Sequence, residues 1–431
     1  MSRRLVFTVA LATLVTSALV GQDASSALDR RVSAVTDGVV TFNFASHADV
    51  CGDGHSWFRI GDESWHGNWN DNGSGSRSDS FFCARGPVRV KITKLAGEII
   101  RIETAVGPLQ AVANQDATDL GIVGARSAST WLLGLASRLD GRPARDAILP
   151  AVIADSASPT PGLLRIAQDR ERARDSRRSA IRWLARAPDA STAEAVRALQ
   201  TLAMDERDAP AVRQSAVSAL ARVPGGHGIV PLTGLAGNGT DPWLGREAIR
   251  VLARNDDPRA RAFLRKAAAD ASLSETLRAA AITGLGSDQA TGADARQLRE
   301  AWTTLSGARV KDALLTAVAS VGGGVNADWL LGVARDSRES LTLRRRAATL
   351  AERAGASGPQ LVALFDAATE TELRLTVIAA LAQEGSKPSR DKLIAIASST
   401  EVGAVRRRAV SALDRFDGDE VREALSALAV P

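Results

Sequence analysis

The chain has 431 residues, of which 45% are hydrophobic, 24% charged and 4% aromatic, a make-up that excludes collagen and wholesale disorder and leaves room for two or three domains. Its 54 basic and 49 acidic residues give a formal charge of +5, too small an excess on a chain of this size to point to a nucleic-acid partner. Lysine contributes only Lys91, Lys94, Lys266, Lys311, Lys387 and Lys392, so the basicity is carried by arginines that stay charged at any physiological pH.

Ser2-Arg3-Arg4 precedes an apolar run from Leu5 to Val15, with small residues at Thr16-Ser17-Ala18 and Gly21. A short basic region, an apolar stretch and small residues predict a signal peptide over residues 1–21, and export to the periplasm or the extracellular space. Loss of Arg3 and Arg4 with it takes the charge from +5 to +3. No later apolar run reaches the roughly 18 residues of a membrane span. Cys51 and Cys83, the two cysteines of the chain, are expected to pair in an oxidising compartment. The loop so closed contributes about 3–4 kcal/mol in the chain-entropy model.

Between about Val39 and Gly107 the pattern is that of strands. Val39 to Phe44 alternates, Trp57-Phe58-Arg59-Ile60 and Phe81-Phe82-Cys83 are short aromatic-rich runs, and Val88 to Ile92 and Ile99 to Glu103 alternate again around a turn at Ala96-Gly97-Glu98. Val88, Val90 and Ile92 should share a face with Ile100 and Ile102 opposite. This predicts a small antiparallel β domain over residues 28–108, with an irregular insert from Gly61 to Ser80 and a linker over 109–116.

From residue 117 to 431 the chain is rich in Ala, Leu and Arg at helical spacing, as in Val212, Ala216, Ala219 and Leu220. A small residue recurs at Ala147, Ala180, Ala216, Ala248, Ala280, Ala313, Ala347, Val377 and Ala409, at intervals of 30 to 36 residues. So steady a period over about nine helix pairs predicts a solenoid. An Arg precedes most of these anchors by two or three residues, and five units place an acid five residues before an arginine: Asp140/Arg145, Asp208/Arg213, Asp241/Arg246, Glu339/Arg344 and Glu401/Arg406. Such an acid falls at a turn or helix start, where it can cap free N–H groups.

Asp208-Ala-Pro-Ala-Val-Arg213-Gln-Ser-Ala216-Val-Ser-Ala-Leu220 and Asp257-Pro258-Arg259-Ala260-Arg261-Ala262-Phe263-Leu264 resemble segments of the HEAT-repeat family, in the short variety of the phycobilisome-lyase-like proteins. The resemblance covers roughly residues 117–431. It implies an α-solenoid of helical-pair repeats wound as a right-handed superhelix and used for contacts with other proteins. Gly284 stands where the family has Leu, and Gly322-Gly323-Gly324 interrupts a turn. The β domain resembles no family by motif.

Catalytic signatures are missing, and His47, His55, His66 and His227 supply few candidates for a general base. No cofactor is expected, and the function expected is that of an exported, non-enzymatic protein-interaction scaffold. An envelope carbohydrate- or peptide-binding protein is the second reading, with Trp65, Trp69 and His66 as the ligand face. Asn68, Asn70, Asn72 and Asp79 have the spacing of a twelve-residue calcium loop, with neutral residues where tight binding needs acids, so a plain surface loop is the first expectation there. Arg344-Arg345-Arg346 and Arg406-Arg407-Arg408 occupy equivalent places in two repeats, and Arg344, Arg346, Arg406 and Arg408 are the expected docking residues for an acidic protein partner. The oligomeric state is not legible.

Overall fold

The computed structural model describes residues 24–69, 83–108, 116–238, 240–287 and 289–429. The expected signal peptide lies outside them, as does nearly all of the expected linker. The chain divides into two compact units, residues 1–231 and 232–431.

In the first unit a helix over residues 24–33, α1, precedes the strands. Its Leu28 and Val32, four residues apart, are both buried. Strands β1 (Gly38–Phe44), β5 (Val88–Leu95), β6 (Glu98–Val106) and β7 (Ala117–Ile122) form one sheet in the order β6-β5-β1-β7. A second, antiparallel sheet is made by β2 (Val50–Gly52), β3 (Trp57–Ile60) and β4 (Glu63–His66), so the expected irregular insert begins with a strand. The β5–β6 hairpin turns at Ala96-Gly97, with φ of 52° and 83°, the two positive values of a type I′ turn.

Two expectations are corrected in this sheet. Ala117–Ile122, placed by sequence at the start of the array, is instead β7, which pairs with β1 in parallel. Its mixed polar composition hides an edge strand, because burial on neither face imposes alternation. Ile100 is not opposite the Val88 face. The β5–β6 register shifts between Thr93 and Lys94, pairing Arg101 with Thr93 and Ile99 with Lys94. Ile100 is the extra residue of this bulge and is 51% exposed.

Val40, Phe42, Phe44, Val88, Val90, Ile92 and Ile102 form the buried β core. Phe42 meets the edge of Trp131 at 5.9 Å, and the Trp131 indole donates to Asp29 Oδ1 on α1 at 2.7 Å. The Cys51–Cys83 disulfide is formed, with Cα atoms 5.2 Å apart.

Helices follow in pairs. The first unit holds α2 (Ala125–Arg138) with α3 (Gly141–Asp146) and α4 (Ile148–Val152), then α5 (Thr160–Gln168) with α6 (Arg174–Leu184), then α7 (Ala193–Met204) with α8 (Pro210–Leu220). Within it first helices pack on first helices, α2 on α5 and α5 on α7, and second on second, α4 on α6 and α6 on α8. Helix α9 (Ile229–Gly237) leads to α10 (Pro242–Leu252).

The second unit continues with α11 (Pro258–Ala269) and α12 (Glu275–Leu285), α13 (Gly292–Ala301) and α14 (Ala308–Val321), and α15 (Gly324–Arg335) and α16 (Leu341–Arg353). The last pairs are α17 (Gly358–Ala367) with α18 (Thr371–Glu384) and α19 (Lys387–Ala397) with α20 (Gly403–Leu413), ending in α21 (Asp419–Ala429). Here α10, α12, α14, α16, α18 and α20 pack in succession, as do α15, α17, α19 and α21. The tight α14–α15 turn is made by Gly322 and Gly323, with φ of 68° and 90°, which explains the glycine run there.

Of the nine recurring small residues, all but Ala280 are buried. In that repeat the anchor is the fully buried Ala281, and in the next Leu314 is more buried than Ala313. The shift evens the period to 33 residues from Ala248 to Ala281, from Ala281 to Leu314 and from Leu314 to Ala347.

Candidate functional site

With these anchors, a base stands three residues before each of seven of them: Arg177, Arg213, Arg278, Lys311, Arg344, Arg374 and Arg406. Helical geometry turns this position back over the preceding helix. Nε of Arg177, Arg213, Arg344 and Arg406 accordingly donates to the carbonyl oxygens of Ala167, Ala203, Ala334 and Ala397, at 2.9, 2.9, 3.0 and 3.2 Å. Each acceptor lies at the end of its repeat's first helix, where carbonyls have no helical partner and the dipole favours a cation.

The rest of the side chain reaches forward to the acid of the next repeat. Arg177 donates through both terminal nitrogens to Asp208, Lys311 to Glu339 at 2.5 Å, Arg344 to Glu370 and Arg374 to Glu401 at 2.5 and 2.6 Å. These acids stand at or just before the starts of α8, α16, α18 and α20, where a negative charge is favourable. Asp208 also accepts from the Ala209 amide at 2.8 Å, and Arg344 holds the Glu370 carboxyl below its ordinary pKa.

The expected pairings within a repeat are thereby corrected for Asp208/Arg213, Glu339/Arg344 and Glu401/Arg406: the acid serves the base one repeat earlier. An acid and an arginine five residues later lie about 140° apart around a helix, so one helix face cannot present both.

The expected docking arginines divide. Arg344 is buried and bound to Glu370, and Arg346, half-buried, bonds Asp312 and Thr316 at 3.0 and 3.2 Å. Arg406 is exposed but bonded to the end of α19. Arg408 is exposed.

The expected ligand face is likewise occupied. Trp65 packs on Trp183 of α6 with ring centroids 4.8 Å apart, and Arg186 lies over it at 5.1 Å while its guanidinium grips Glu63. Trp69 is 8% exposed and covered by Lys91 at 4.5 Å. Both indoles therefore seat β4 and the loop after it within the first unit. His66 lies on β4 opposite Trp57.

Of the calcium-loop candidates, Asn70, Asn72 and Asp79 fall outside the described residues. The Asn68 amide is spent on the protein: it donates to Ile102 O at 2.7 Å and Asp146 Oδ2 at 2.9 Å, and accepts from the Thr104 amide. Among the described residues no group of three or more His, Cys, Asp or Glu could hold a metal ion.

What these elements do enclose is a cleft of about 800 Å³, bounded by residues 67–69, α3, Leu149 and one face of α6. Four arginines line it, Arg142, Arg145, Arg178 and Arg182, against two acids, Asp146 and Asp175. Burial pushes the Asp146 carboxyl up from its ordinary pKa, against the pull of Arg142 and Asn68. Sequence reasoning passed over this site because its arginines belong to two helices some 35 residues apart and its floor to the β domain.

Stacked helix pairs joined by a base–acid ladder, led by a disulfide-linked β domain, define an α-solenoid of HEAT-like repeats. No family model matches the chain, and no curated protein matches it. Solved structures do. Kap121p bound to Pho4p is 16% identical over 70% of this chain and 39% of its own, with a TM-score of 0.43. Importin beta in an ammonium sulfate condition is 14% identical over 70% of this chain and 46% of its own, with a TM-score of 0.39. The CpcE–CpcF complex of phycocyanin lyase from Nostoc sp. PCC7120 is 16% identical over 62% of this chain and 93% of its own, with a TM-score of 0.23. Among the described residues no helix is long and apolar enough to cross a membrane.

Proposed function

We propose that this chain is an exported, non-enzymatic scaffold that binds another protein. The observation that carries the reading is the ladder. Its bases and acids are spent on fixing one repeat to the next at four joints, which is what a rigid recognition surface requires and a reaction centre does not. Export is supported by the basic and apolar start of the sequence and by the paired Cys51 and Cys83, since disulfides persist in oxidising compartments. The Trp-rich loop supports a sugar-binding reading poorly, because the faces of Trp65 and Trp69 are covered.

The test is cross-linking of the full chain in its native envelope, followed by purification and identification of what is attached. A stoichiometric protein partner that survives washing is expected. Recovery of the chain alone, with a small-molecule substrate turned over by the purified protein, would refute the scaffold reading.

A further inference from the structure

We infer that the cleft between residues 67–69, α3 and α6 is the seat of an acidic peptide segment of the partner, an inference that rests on the scaffold reading above. The argument begins with neighbours on one helix. Arg177 is buried and its donors are consumed by Ala167 and Asp208. Arg178, one residue on, faces the cleft, 3.5 Å from Asp175 and 3.3 Å from the Ser215 hydroxyl. Arg145 is 3.6 Å from the same Asp175, and Arg142 is 3.4 Å from Asp146. These separations lie beyond the 2.7–3.2 Å of a well-formed N–H···O bond, and each guanidinium carries five donors. Arg182 is exposed and has no ion pair among the described residues. Among the described residues, four guanidinium groups facing two carboxylates leave an excess of two positive charges and most of their donors unspent.

Guanidinium forks match carboxylates bidentately, so the chemistry that completes this site is a run of carboxylates. A cleft of about 800 Å³ has room for several side chains of an extended peptide. An acidic sugar is the weaker fit. Sugars are held on open aromatic faces, and the two indoles at this cleft, Trp69 and Trp183, are 8% and 5% exposed.

The probe is fluorescein-labelled octaglutamate titrated into the full chain at about 0.05 M and about 0.5 M salt, with tetragalacturonate as the competing polyanion. Binding at low salt is expected, with Arg178→Gln/Arg182→Gln weakening it about tenfold or more and flattening its salt dependence. Arg407→Gln, on the exposed surface of α20, should leave it unchanged, and thermal melts should show all variants folded. Equal weakening by Arg407→Gln, unchanged affinity in the double variant, or tighter binding of tetragalacturonate than of the peptide would each overturn the inference. If octaglutamate fails to bind while the envelope partner is still recovered, the cleft assignment falls and the scaffold reading stands. If the chain is recovered alone and turns over a small-molecule substrate while the peptide still binds in the cleft, the scaffold reading falls, and with it the assignment of the peptide to a partner.

Discussion

Truncating Arg177 is the sharpest test of the ladder. Arg177→Ala removes the bond to Ala167 O and both bonds to Asp208, in a pair whose side chains are 4% and 3% exposed. The Asp208 carboxylate is left in the interior without its countercharge, a change that costs about 3–5 kcal/mol. Because Asp208 keeps the Ala209 amide at 2.8 Å, the loss should sit near the lower end, about 3 kcal/mol. At a urea dependence of about 2–3 kcal/mol per molar, the midpoint for the first unit should fall by about 1–1.5 M. Trp183, six residues further along α6, reports the transition through its fluorescence. The companion variant Arg177→Met/Asp208→Leu removes both charges at similar volume and should lie within about 1 kcal/mol of the parent. If the single variant loses less than about 1 kcal/mol, or the double variant loses as much as the single, the ladder is not a structural device.

Three further outcomes are expected. Asp294, buried between Thr291, Arg261 and Arg265, is raised by desolvation and lowered more strongly by these bonds, to about 2 from 3.8. A depressed carboxyl stabilises the fold above its unfolded pKa, so about 2 kcal/mol should be lost as pH falls from about 4 to about 2, and Asp294→Asn should flatten that part of the pH–stability curve. Reduction of Cys51–Cys83, which closes a separation of 32 residues, should lower the stability of the β domain by about 3–4 kcal/mol in denaturant titrations with and without reductant. A Cβ at Gly286 would lie 2.5 Å from Ala317 Cα, so Gly286→Ala should destabilise the second unit by about 1–3 kcal/mol in thermal melts through overpacking.

The repeats were legible because burying one face of each helix pair forces small residues and a base to recur, and recurrence is visible in one dimension. Which acid each base meets was not. Asp208 and Arg213 are near in sequence and suggest a pair, but Asp208 meets Arg177, 31 residues away, a relation created by stacking. The β core was legible from the alternation of Val88, Val90 and Ile92. Helix α1, edge strand β7 and the bulge at Ile100 were not, since two buried residues, a two-sided polar edge and a one-residue insertion leave little periodic trace. The cleft arginines were not legible as a group, and Arg145 was expected to pair with Asp140. Only the fold sets Arg142 and Arg145 beside Arg178 and Arg182.

The ladder is interrupted between α10 and α12, and packing takes its place there. Where other repeats carry a base, α10 has Gly245, and the next turn has Ser274 in place of an acid. Leu277 lies in the space that the absent side chain leaves, 2.9 Å from where a Cβ would stand. Salt, which screens an ion pair such as Lys311–Glu339, has little hold on an apolar contact of this kind. On the neighbouring face the Arg261–Asp294 link between α11 and α13 keeps its charge to about pH 2. The α10–α12 contact and the Arg261–Asp294 link are thus two couplings that mild acid leaves intact.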